Sequence, residues 1–589
     1  MMGQGSSPGD QRAKIADGVR VRKLTVVFGK SLKWRRLSSA LGLLTLLIVL
    51  GAWPAHAEYQ YPKYGPWWLS EVKVGALLND VGAFGRSEED TNVVINGEAL
   101  FNLKGRIWEK IWSPRPHLGF SANTAHHIDI GSATPGLIID IPDVFAEGML
   151  FAGVKLYEKG KRNEGLWKFI GNNSRTANML RDDIEAQIAA ARLGVTRFQD
   201  LIEKYGLETV KNSCDQLMDY SEKMLRKRIA EIPDGEYTAE GWCDDDGRNR
   251  DVRLPIKVTV TIDGDNAEVD LTGSADQVPT GYNVPFEGST KVACYFAFRA
   301  LLLDQATTDE YIPQNQGSFR PISVVAPLGS IFNPKFPAAA EARFTQCNRL
   351  IDCVVKALAP VMPDRVIAGS SASLSFIAYA GLRPTGDYWV FLEVNEGSYG
   401  GRPKSDGPDS IDNLMCNTRN NPIEDLGMHL PMVCDRYELR DDTLPGAGKH
   451  RGGFGVVKSQ RVLTDASITH ECDRHTDVPW GIFGGNEGAV GKVQIYNTGS
   501  PDEIQDLPAK FSGLSIKAND VVAFYAPCGG GYGDPLERTA AQVLDDVLDD
   551  FCTIEEAFSA YGVVIYDDLK LDEAATETRR AELGTIAAE

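Results

Sequence analysis

Three glycine-rich segments place the strongest constraint on how this chain can fold. They read E-G-S-Y-G-G-R at residues 396–402, R-G-G-F-G at residues 451–455 and C-G-G-G-Y-G-D-P at residues 528–535. Because glycine has no Cβ, such segments allow a backbone to approach another backbone or a ligand closely and to adopt positive φ. No segment ends in Lys followed by Ser or Thr, so none is a phosphate-binding loop. The pattern predicts structural turns and gives no reason to place a nucleotide on this chain.

The length and the charge of the chain limit its class. Its 589 residues exceed what one hydrophobic core usually serves, so we expect several subdomains. Acidic residues outnumber basic ones by 81 to 61, and the net charge of −20 would repel a phosphate backbone. Nucleic acid is therefore not an expected partner. The ten cysteines are scattered without any C-x-x-C pair, which is typical of free thiols in a reducing, cytoplasmic compartment.

Residues 1–60 form an atypical extension that points to a different compartment. Lys33, Arg35 and Arg36 precede an apolar stretch at residues 40–53, and A-H-A follows at residues 55–57. This order is that of a secretory signal, although the region before it is longer than export signals usually have, and the stretch is too short to span a bilayer comfortably. Two interpretations stay open, a true targeting segment and a misassigned or fused start. Residues 61–118 show no clear pattern.

Hydrophobic periodicity predicts interleaved helices and strands, which is an α+β fold with interleaved subdomains. Helices are predicted at residues 175–193, where Gly194 would end the helix, and at 209–230, 290–303, 349–359 and within 536–562. Period-two alternation predicts a β-hairpin with strands at 256–262 and 267–271, and further strands at 388–394, 456–463 and 493–496. Residues 566–589 are expected to form a polar C-terminal tail.

The densest group of metal-type donors is His126, His127 and Asp129. In an extended segment His127 and Asp129 point to one face, and in a helix His126 and Asp129 do so. Either conformation offers an imidazole and a carboxylate to one metal ion or one bound water. The alternative is a His–Asp hydrogen bond that fastens a loop. A metal site would need a third ligand from elsewhere in the chain.

A second polar group follows Gly401 and contains two arginines, Arg402 and Arg419. The other polar residues of this stretch are Asp406, Asp409, Asp412, Asn417 and Asn420. A guanidinium in a pocket can hold a carboxylate or an oxyanion, so this stretch predicts either an anion-binding pocket or an ordinary solvated face.

A third polar cluster reads H-E-C-D-R-H at residues 470–475. It fits an acid/base pair as well as a hydrogen-bonded turn before a buried Trp480. The chain contains no G-x-S-x-G motif and no cysteine in an activated context. A serine or cysteine hydrolase therefore has no support in the sequence.

Several motifs follow one another in a fixed order between residues 120 and 565. They include A-H-H-I-D-I-G at 125–131, I-E-A-Q-I-A-A-A-R-L-G at 184–194, D-L-T-G-S at 270–274, I-P-Q-N-Q-G at 312–317, N-T-R-N-N-P at 417–422, R-Y-E-L-R at 436–440 and G-G-G-Y-G-D-P at 529–535. In this order they resemble the hydantoinase B/oxoprolinase family, and we expect its domain at residues 119–565.

The resemblance implies one subunit of a hetero-oligomeric enzyme. Members include ATP-dependent hydantoinases and 5-oxoprolinases, which open a cyclic amide, and acetone and acetophenone carboxylases, which add a carboxylate to a ketone. A partner of hydantoinase A type uses the ATP to activate the substrate, and the present type of chain completes the reaction on a lactam, hydantoin or ketone. His127 and Asp129 would position water, Arg402 and Arg419 would bind an anion, and His126, His127 and Asp129 would hold any divalent metal.

Ring-opening hydrolysis is the leading hypothesis, with ketone carboxylation and a truncated, non-catalytic subunit as alternatives. Members usually begin with a domain that leads into Asn-Asp-Pro and Gly-Gly-x-His segments, and residues 1–118 do not show that pattern. No histidine lies between His127 and His429, which weakens the resemblance to metal-containing acetone carboxylases.

Overall fold

The computed structural model describes residues 126–586 apart from 152, 305–309 and 417, together with residue 121 and four short strands further upstream. The upstream strands pair in two antiparallel hairpins, β1 (Ala76–Leu77) with β2 (Val94–Ile95) and β3 (Glu98–Phe101) with β4 (Pro116–Gly119). The signal-like stretch at residues 40–53, the remaining residues of 61–118 and Asn417 lie outside the described residues. A further two-residue pair, β5 (Tyr157–Glu158) and β6 (Lys161–Arg162), precedes the first helix.

Three helices follow one another, α1 (Glu164–Asn172), α2 (Ala177–Tyr205) and α3 (Leu207–Ile229). The apolar face of α2 repeats every three to four residues and packs against α1; its buried residues are Leu180, Ile184, Ile188 and Ala191. The predicted helices at 175–193 and 209–230 are confirmed, but the predicted end at Gly194 is wrong. Helix α2 runs on to Gly206, because a single interior glycine costs only about 1 kcal/mol and does not break a well-packed helix.

A four-stranded sheet in the order β10-β9-β8-β7 forms the centre of the next subdomain. Its strands are β7 (Gly235–Cys243), β8 (Leu254–Asp263), β9 (Asn266–Asp270) and β10 (Ile322–Val325). The predicted hairpin is confirmed, with Gly264 and Asp265 forming the turn between β8 and β9. Helices α4 (Lys291–Leu302) and α5 (Phe344–Leu358) contribute to the same hydrophobic core as this sheet. Helix α5 begins five residues before the predicted start at 349.

Two antiparallel sheets share a second core and form a sandwich. The strands of the four-stranded sheet, in spatial order, are β12 (Tyr388–Asn395), β11 (Ser375–Leu382), β15 (Ala466–Glu471) and β18 (Lys510–Ile516). Those of the five-stranded sheet are β13 (Met432–Leu439), β14 (Val456–Val462), β19 (Asp520–Tyr525), β16 (Lys492–Asn497) and β17 (Ser500–Leu507). The strands predicted at 388–394, 456–463 and 493–496 are confirmed as β12, β14 and β16.

Short helices complete the described chain. Helix α6 (Ile423–His429) precedes β13, and α7 (Ala540–Leu548), α8 (Ile554–Ser559) and α9 (Glu573–Ile586) follow the sandwich. Helix α9 falls within the expected polar tail, where Arg580 donates to the carbonyl of Tyr561 at 3.0 Å. The mixture of helices and sheets confirms the α+β prediction. In the described part of the chain, no helix combines the length and apolar character that a membrane crossing requires.

The glycine-rich segments meet in what we call the glycine core, formed by residues 368–369, 397–401, 446–455, 480–488 and 526–533. Its backbones hydrogen bond directly: Gly401 N–H donates to the Gly530 carbonyl at 2.8 Å, and Gly530 N–H donates to the Gly369 carbonyl at 2.8 Å. A Cβ placed on Gly452 would lie 1.9 Å from the carbonyl oxygen of Gly529. The close approach of backbone to backbone that the sequence allows is therefore how these glycines are used.

We expect Gly452→Ala to lower the thermal unfolding midpoint by several degrees. The added methyl group cannot avoid a rigid backbone carbonyl, and such overpacking typically costs about 1–3 kcal/mol or more. Gly427→Ala in α6 is the matched control, since its Cβ would meet nothing within 4 Å and alanine favours a helix. Equal midpoints for the two variants in differential scanning fluorimetry would contradict the close packing described here.

Candidate functional site

A segment at residues 126–147 covers the outer face of the four-stranded sheet of the sandwich, β12-β11-β15-β18. A Cβ on Gly136 would lie 2.8 Å from the Cβ of Ala378 on β11. The N–H of Ile139 donates to Ser512 Oγ of β18 at 3.0 Å, and its carbonyl accepts from the Gly281 N–H at 2.7 Å. The segment therefore lies between the sandwich and the subdomain built on the β7–β10 sheet.

Asp129 fastens this segment to the start of helix α2. Its side chain is fully buried and accepts hydrogen bonds from Arg175 Nη1 at 2.9 Å, from Ser174 Oγ at 3.3 Å and from the Gly131 N–H at 3.2 Å. The Arg175 N–H also donates to Asp129 Oδ2. A buried carboxylate needs such partners, because an unpaired charge in the interior is costly.

The two histidines beside Asp129 face different neighbours. His126 packs edge-on against the ring of Phe344, with ring centroids 5.0 Å apart. Nδ1 of His127 lies 3.8 Å from Asp183 Oδ2 on α2, which is too long for a hydrogen bond. Burial and the positive charge of Arg343 lower the pKa of His126.

A metal ion does not fit the three residues that the sequence suggested for it. Each carboxylate oxygen of Asp129 already accepts two hydrogen bonds, Oδ1 from Arg175 and Gly131 and Oδ2 from Arg175 and Ser174, which leaves no lone pair for a metal ion. Within residues 126–586 and their stated gaps, no group of three or more His, Cys, Asp or Glu side chains has the arrangement of a metal site. The loop-fastening alternative describes Asp129 better, with Arg175 in place of a histidine as its partner.

The arginines of the predicted anion pocket lie elsewhere. Arg402 donates from Nε to the carbonyl of Asp406 at 2.9 Å, whereas the Asp406 carboxylate binds Arg538 at 2.7 and 2.9 Å. Arg419 is exposed on the loop before α6. Among the contacts between described residues, none joins Arg402 or Arg419 to His127 or Asp129. Their grouping into one pocket therefore stays a prediction.

The first two residues of the H-E-C-D-R-H cluster, His470 and Glu471, belong to strand β15. His470 faces the sandwich core and shares a hydrogen bond of 3.2 Å with Ser375 Oγ; burial lowers its pKa well below the usual value. Glu471 faces outward, directly across from Phe376 of β11 and Lys510 of β18. The side chains of His470 and Glu471 thus lie on opposite faces of the strand, and an acid/base pair within this cluster stays a prediction.

Residues that follow Glu471 join a network of buried charges. Arg474 binds Asp352 at 2.7 Å, and the indole N–H of Trp480 donates to the same Asp352 oxygen, Oδ2, at 2.7 Å. Lys510 is fully buried, with Nζ 3.3 Å from Asp473. Burial raises the pKa of Asp473 to about 6 against the opposing effect of Lys510. The network joins α5 to the residues after β15 and to β18, and Trp480, which was predicted to be buried, is half-buried.

Three carboxyl groups come together just before α5: Glu471, which is fully buried, and Glu147 and Glu341, which are half-buried. Glu147 accepts from the N–H of Glu341 at 2.9 Å, and Glu471 Oε1 accepts from Thr345 Oγ1 at 2.9 Å. Oε2 of Glu341 and Oε2 of Glu471 are buried without a hydrogen-bond partner among the described residues. Arg343 is a nearby cation that lowers the pKa of all three groups, and Lys510 lowers the pKa of Glu471 as well. We call this set the glutamate cluster.

Burial makes the glutamate cluster weakly acidic. It raises the pKa of Glu471 to about 7, and burial together with the negative charges of Glu147 and Glu471 raises the pKa of Glu341 well above its usual value. Burial also raises the pKa of Glu147. Carboxyl groups of this kind can give and take protons near neutral pH, which is what general acid/base catalysis requires.

A cleft of about 490 Å³ lies along the segment at residues 126–147. Its wall includes Ile138, Ile141 and Ala146, which pack with Ala339 into a small apolar cluster. Glu147 and Glu341 directly follow Ala146 and Ala340 in the chain. The three carboxyl groups are not among the residues that line the cleft.

Sequence reasoning missed most of this site. Glu147 and Glu341 carry no local signal, because they are 194 residues apart in the chain, and only Glu471 belonged to a cluster singled out in advance.

Replacing Glu471 with Gln should make stability less dependent on pH. The folded protein holds the Glu471 proton up to about pH 7, whereas the unfolded chain releases it near 4.5. The stabilisation of the protonated form is thus complete below pH 4.5 and lost as pH rises through 7. Glutamine resembles the protonated acid at every pH.

We therefore expect wild type and Glu471→Gln to unfold alike near pH 4.5, and the variant to be more stable by about 3 kcal/mol at pH 8.5. Urea unfolding at a series of pH values measures the difference. Glu268→Gln, an exposed change on β9, should show no such trend. A difference for Glu471→Gln that stays constant with pH would contradict the raised pKa.

The chain is similar to known proteins over most of its length. The Hydantoinase B/oxoprolinase family matches residues 108–535. A protein from Pseudomonas sp. (strain NS671), named as the B-type component of a D-/L-hydantoinase, is 45% identical over 472 residues, covering 79% of this chain and 78% of the relative. The beta component of a caprolactamase from Pseudomonas jessenii is 29% identical over 466 residues, covering 77% and 78%.

Two solved structures resemble the fold. The ATP-dependent caprolactamase from Pseudomonas jessenii superposes with a TM-score of 0.68 at 28% identity and covers 77% of this chain and 79% of that one. An acetone carboxylase superposes with a TM-score of 0.69 at 18% identity, covering 79% and 68%, which shows a shared fold alone. The resemblance seen in the ordered motifs is confirmed, and the chain belongs to the hydantoinase B/oxoprolinase family.

Proposed function

We propose that this chain is the B-type component of an ATP-dependent enzyme that opens a cyclic amide by hydrolysis. The observation that carries the proposal is the glutamate cluster, in which burial raises the pKa of Glu471 to about 7 and that of Glu341 well above its usual value. Opening an amide requires one proton to leave the attacking water and one to reach the departing nitrogen. A set of weakly acidic carboxyl groups supplies both functions.

The neighbours of the cluster fit the same chemistry. Arg343 contributes a guanidinium that can stabilise the negative charge developing on the amide oxygen. His127 stays a candidate for positioning water, since Nδ1 is buried without a hydrogen-bond partner among the described residues. Asp129 acts through Arg175 and holds the segment that carries both histidines. Arg402 and Arg419 stay candidates for binding an anion at a separate place.

Activation by ATP is assigned to a partner subunit of hydantoinase A type, in a hetero-oligomer. The glycine-rich segments pack on one another and lack the Lys-Ser or Lys-Thr ending of a phosphate loop. Relatives named as the B-type component of a hydantoinase and the beta component of a caprolactamase support a division of labour between chains. A cyclic amide is favoured over a ketone because the hydantoinase and caprolactamase relatives exceed 25% identity, whereas the acetone carboxylase does not.

The direct experiment mixes the chain with its hydantoinase A-type partner and measures ATP hydrolysis and product. Candidate substrates are 5-oxoproline, a hydantoin and a simple lactam, against acetone or acetophenone with bicarbonate. Ring-opened product with ATP turnover is the expected result. Turnover that requires bicarbonate and a ketone would replace the proposal with carboxylation, and no turnover with any substrate would point to a non-catalytic subunit.

In this assay Glu341→Gln should lower kcat by about 100-fold or more, because general acid/base groups typically contribute at least that much. The variant keeps the shape of the side chain and removes its titrating proton. Its thermal midpoint should not fall, since the lost carboxylate oxygen Oε2 had no hydrogen-bond partner among the described residues.

Glu268→Gln on β9 serves as the control for the same substitution at an exposed site. A kcat for Glu341→Gln equal to that of the control would remove Glu341 from the mechanism. A fall in kcat accompanied by an equal loss of folded protein would instead assign Glu341 a structural role.

A further inference from the structure

Thr345 connects Glu471 to two other elements of the fold. It lies in the first turn of α5 and is fully buried. Its hydroxyl oxygen, Oγ1, lies 2.9 Å from Oε1 of Glu471 at the end of β15 and 3.3 Å from the carbonyl oxygen of Leu374, which directly precedes β11. A threonine hydroxyl carries one proton and donates it to one acceptor at a time. The shorter distance favours Glu471 as that acceptor.

The two oxygens of the Glu471 carboxyl group have different surroundings. Oε1 accepts the hydrogen bond from Thr345, whereas Oε2 is buried without a hydrogen-bond partner in the described part of the chain. A negative charge on a buried oxygen without a partner is costly. Oε2 is therefore the more basic of the two oxygens and binds a proton more readily.

The acidity of Glu471 depends on burial and on the groups that face it. Burial raises its pKa to about 7. The hydrogen bond from Thr345 opposes this shift more strongly than the charges of Lys510 and Arg343 do. The charged and titratable groups around Glu471 are Lys510 on β18, Arg343 and Glu341 before α5, Cys347 on α5, and Tyr282. Among them, Thr345 provides the direct hydrogen bond to the carboxyl group.

We propose that Thr345 is a positioning residue for Glu471, holding Oε1 so that Oε2 is the oxygen that exchanges a proton. Oε2 takes the proton that the attacking water gives up as the C–O bond forms. The same proton then passes to the departing nitrogen as the C–N bond breaks, and the carboxylate is ionised again. The inference rests on the proposed function and deepens it by assigning the reacting oxygen and the residue that orients it.

The hydroxyl of Thr345 stabilises the ionised form of Glu471 more than the neutral form. A hydrogen bond to a charged acceptor is about twice as strong as one to a neutral acceptor. Loss of the hydroxyl should therefore raise the pKa of Glu471 by about one unit above its present value of about 7.

The kinetic test compares variants of Thr345 in the complex with the hydantoinase A-type partner and a cyclic amide. Thr345→Val keeps the shape of the side chain and removes the hydroxyl, and Thr345→Ala removes it without adding a methyl group in its place. In both variants kcat should fall, and the limb of its pH profile near pH 7 should move up by about one pH unit. KM should not change, because Thr345 does not contact the substrate.

Two further variants define the effect. Thr345→Ser keeps the hydroxyl and should restore the wild-type pH profile. Thr290→Val is the matched control, since Thr290 is fully buried and its hydroxyl donates to the carbonyl of Phe332 at 2.8 Å instead of to a carboxyl group. Its pH profile should also be that of wild type. A lower kcat in Thr345→Val with an unmoved profile would assign Thr345 a structural role and overturn the proposal.

Unfolding separates this inference from the proposed function, because it needs no turnover. The stabilisation due to protonated Glu471 is lost as pH rises through the pKa of the folded protein. In Thr345→Val this loss should extend about one pH unit higher than in Thr345→Ser, as measured by urea unfolding at a series of pH values. Adding Glu471→Gln to both variants should remove the difference. The same pH dependence for the valine and serine variants, or a difference that persists with Glu471→Gln, refutes the proposal.

Discussion

Contact of backbone with backbone in the glycine core is the constraint on which the rest of the sandwich depends. The segments of the core continue directly into strands: β11 and β14 begin shortly after residues 369 and 455, and β12 and β19 end just before residues 397 and 526. Buried N–H and carbonyl groups must find partners, and here they find each other across neighbouring segments. The core therefore fixes where two sheets begin, and a side chain at its most closely packed glycines, such as Gly452 and Gly531, would force the segments apart.

A second constraint is electrostatic and joins the sandwich to α5. Three buried cations each pair with an aspartate. Arg349 pairs with Asp477, Arg474 with Asp352 and Lys510 with Asp473. Burying such pairs contributes little net stability, because the cost of removing the charges from water offsets their attraction. Removing one partner is far more costly than forming the pair is favourable. The network thus acts mainly against alternative arrangements of these elements, and it keeps Glu471, beside Lys510, in a fixed position.

Local pattern predicted the elements of this fold well, and it failed where distant parts of the chain decide the outcome. The periodicity of residues 175–193 predicted a helix, and the alternation at 256–262 predicted a strand, because both patterns arise from one buried face. Gly194 did not end α2, since packing against α1 outweighs the weak preference of a single glycine. Close packing of the glycine-rich segments could be predicted because glycine lacks a Cβ. The sequence did not indicate which segments pack against each other.

The limit of prediction from local sequence patterns is clearer at the candidate site. The spacing placed His127 and Asp129 close together. It could not indicate Arg175, which lies 46 residues after Asp129 and forms an ion pair with its carboxylate. Glu147 ends a short 3-10 helix (Val144–Glu147), Glu341 lies just before α5, and Glu471 ends strand β15. No regularity in the sequence connects them, so a shared environment is visible only once the chain is folded. The family resemblance indicated which chain segments matter without indicating which side chains meet.

The raised pKa values of the glutamate cluster depend on the segment at residues 126–147. Burial is the largest cause of the shift for each of the three glutamates, and this segment both supplies Glu147 and packs Ile138 and Ile141 over Ala339. The Asp129–Arg175 pair anchors the segment at its start, and Ser512 holds it at Ile139. The carboxylate of the H-H-I-D motif is thereby connected to the acidity of the glutamate cluster. If the segment became loose, water would reach the cluster and the pKa values of its carboxyl groups would return to their usual range. The motif can therefore be essential because it keeps water away from these groups.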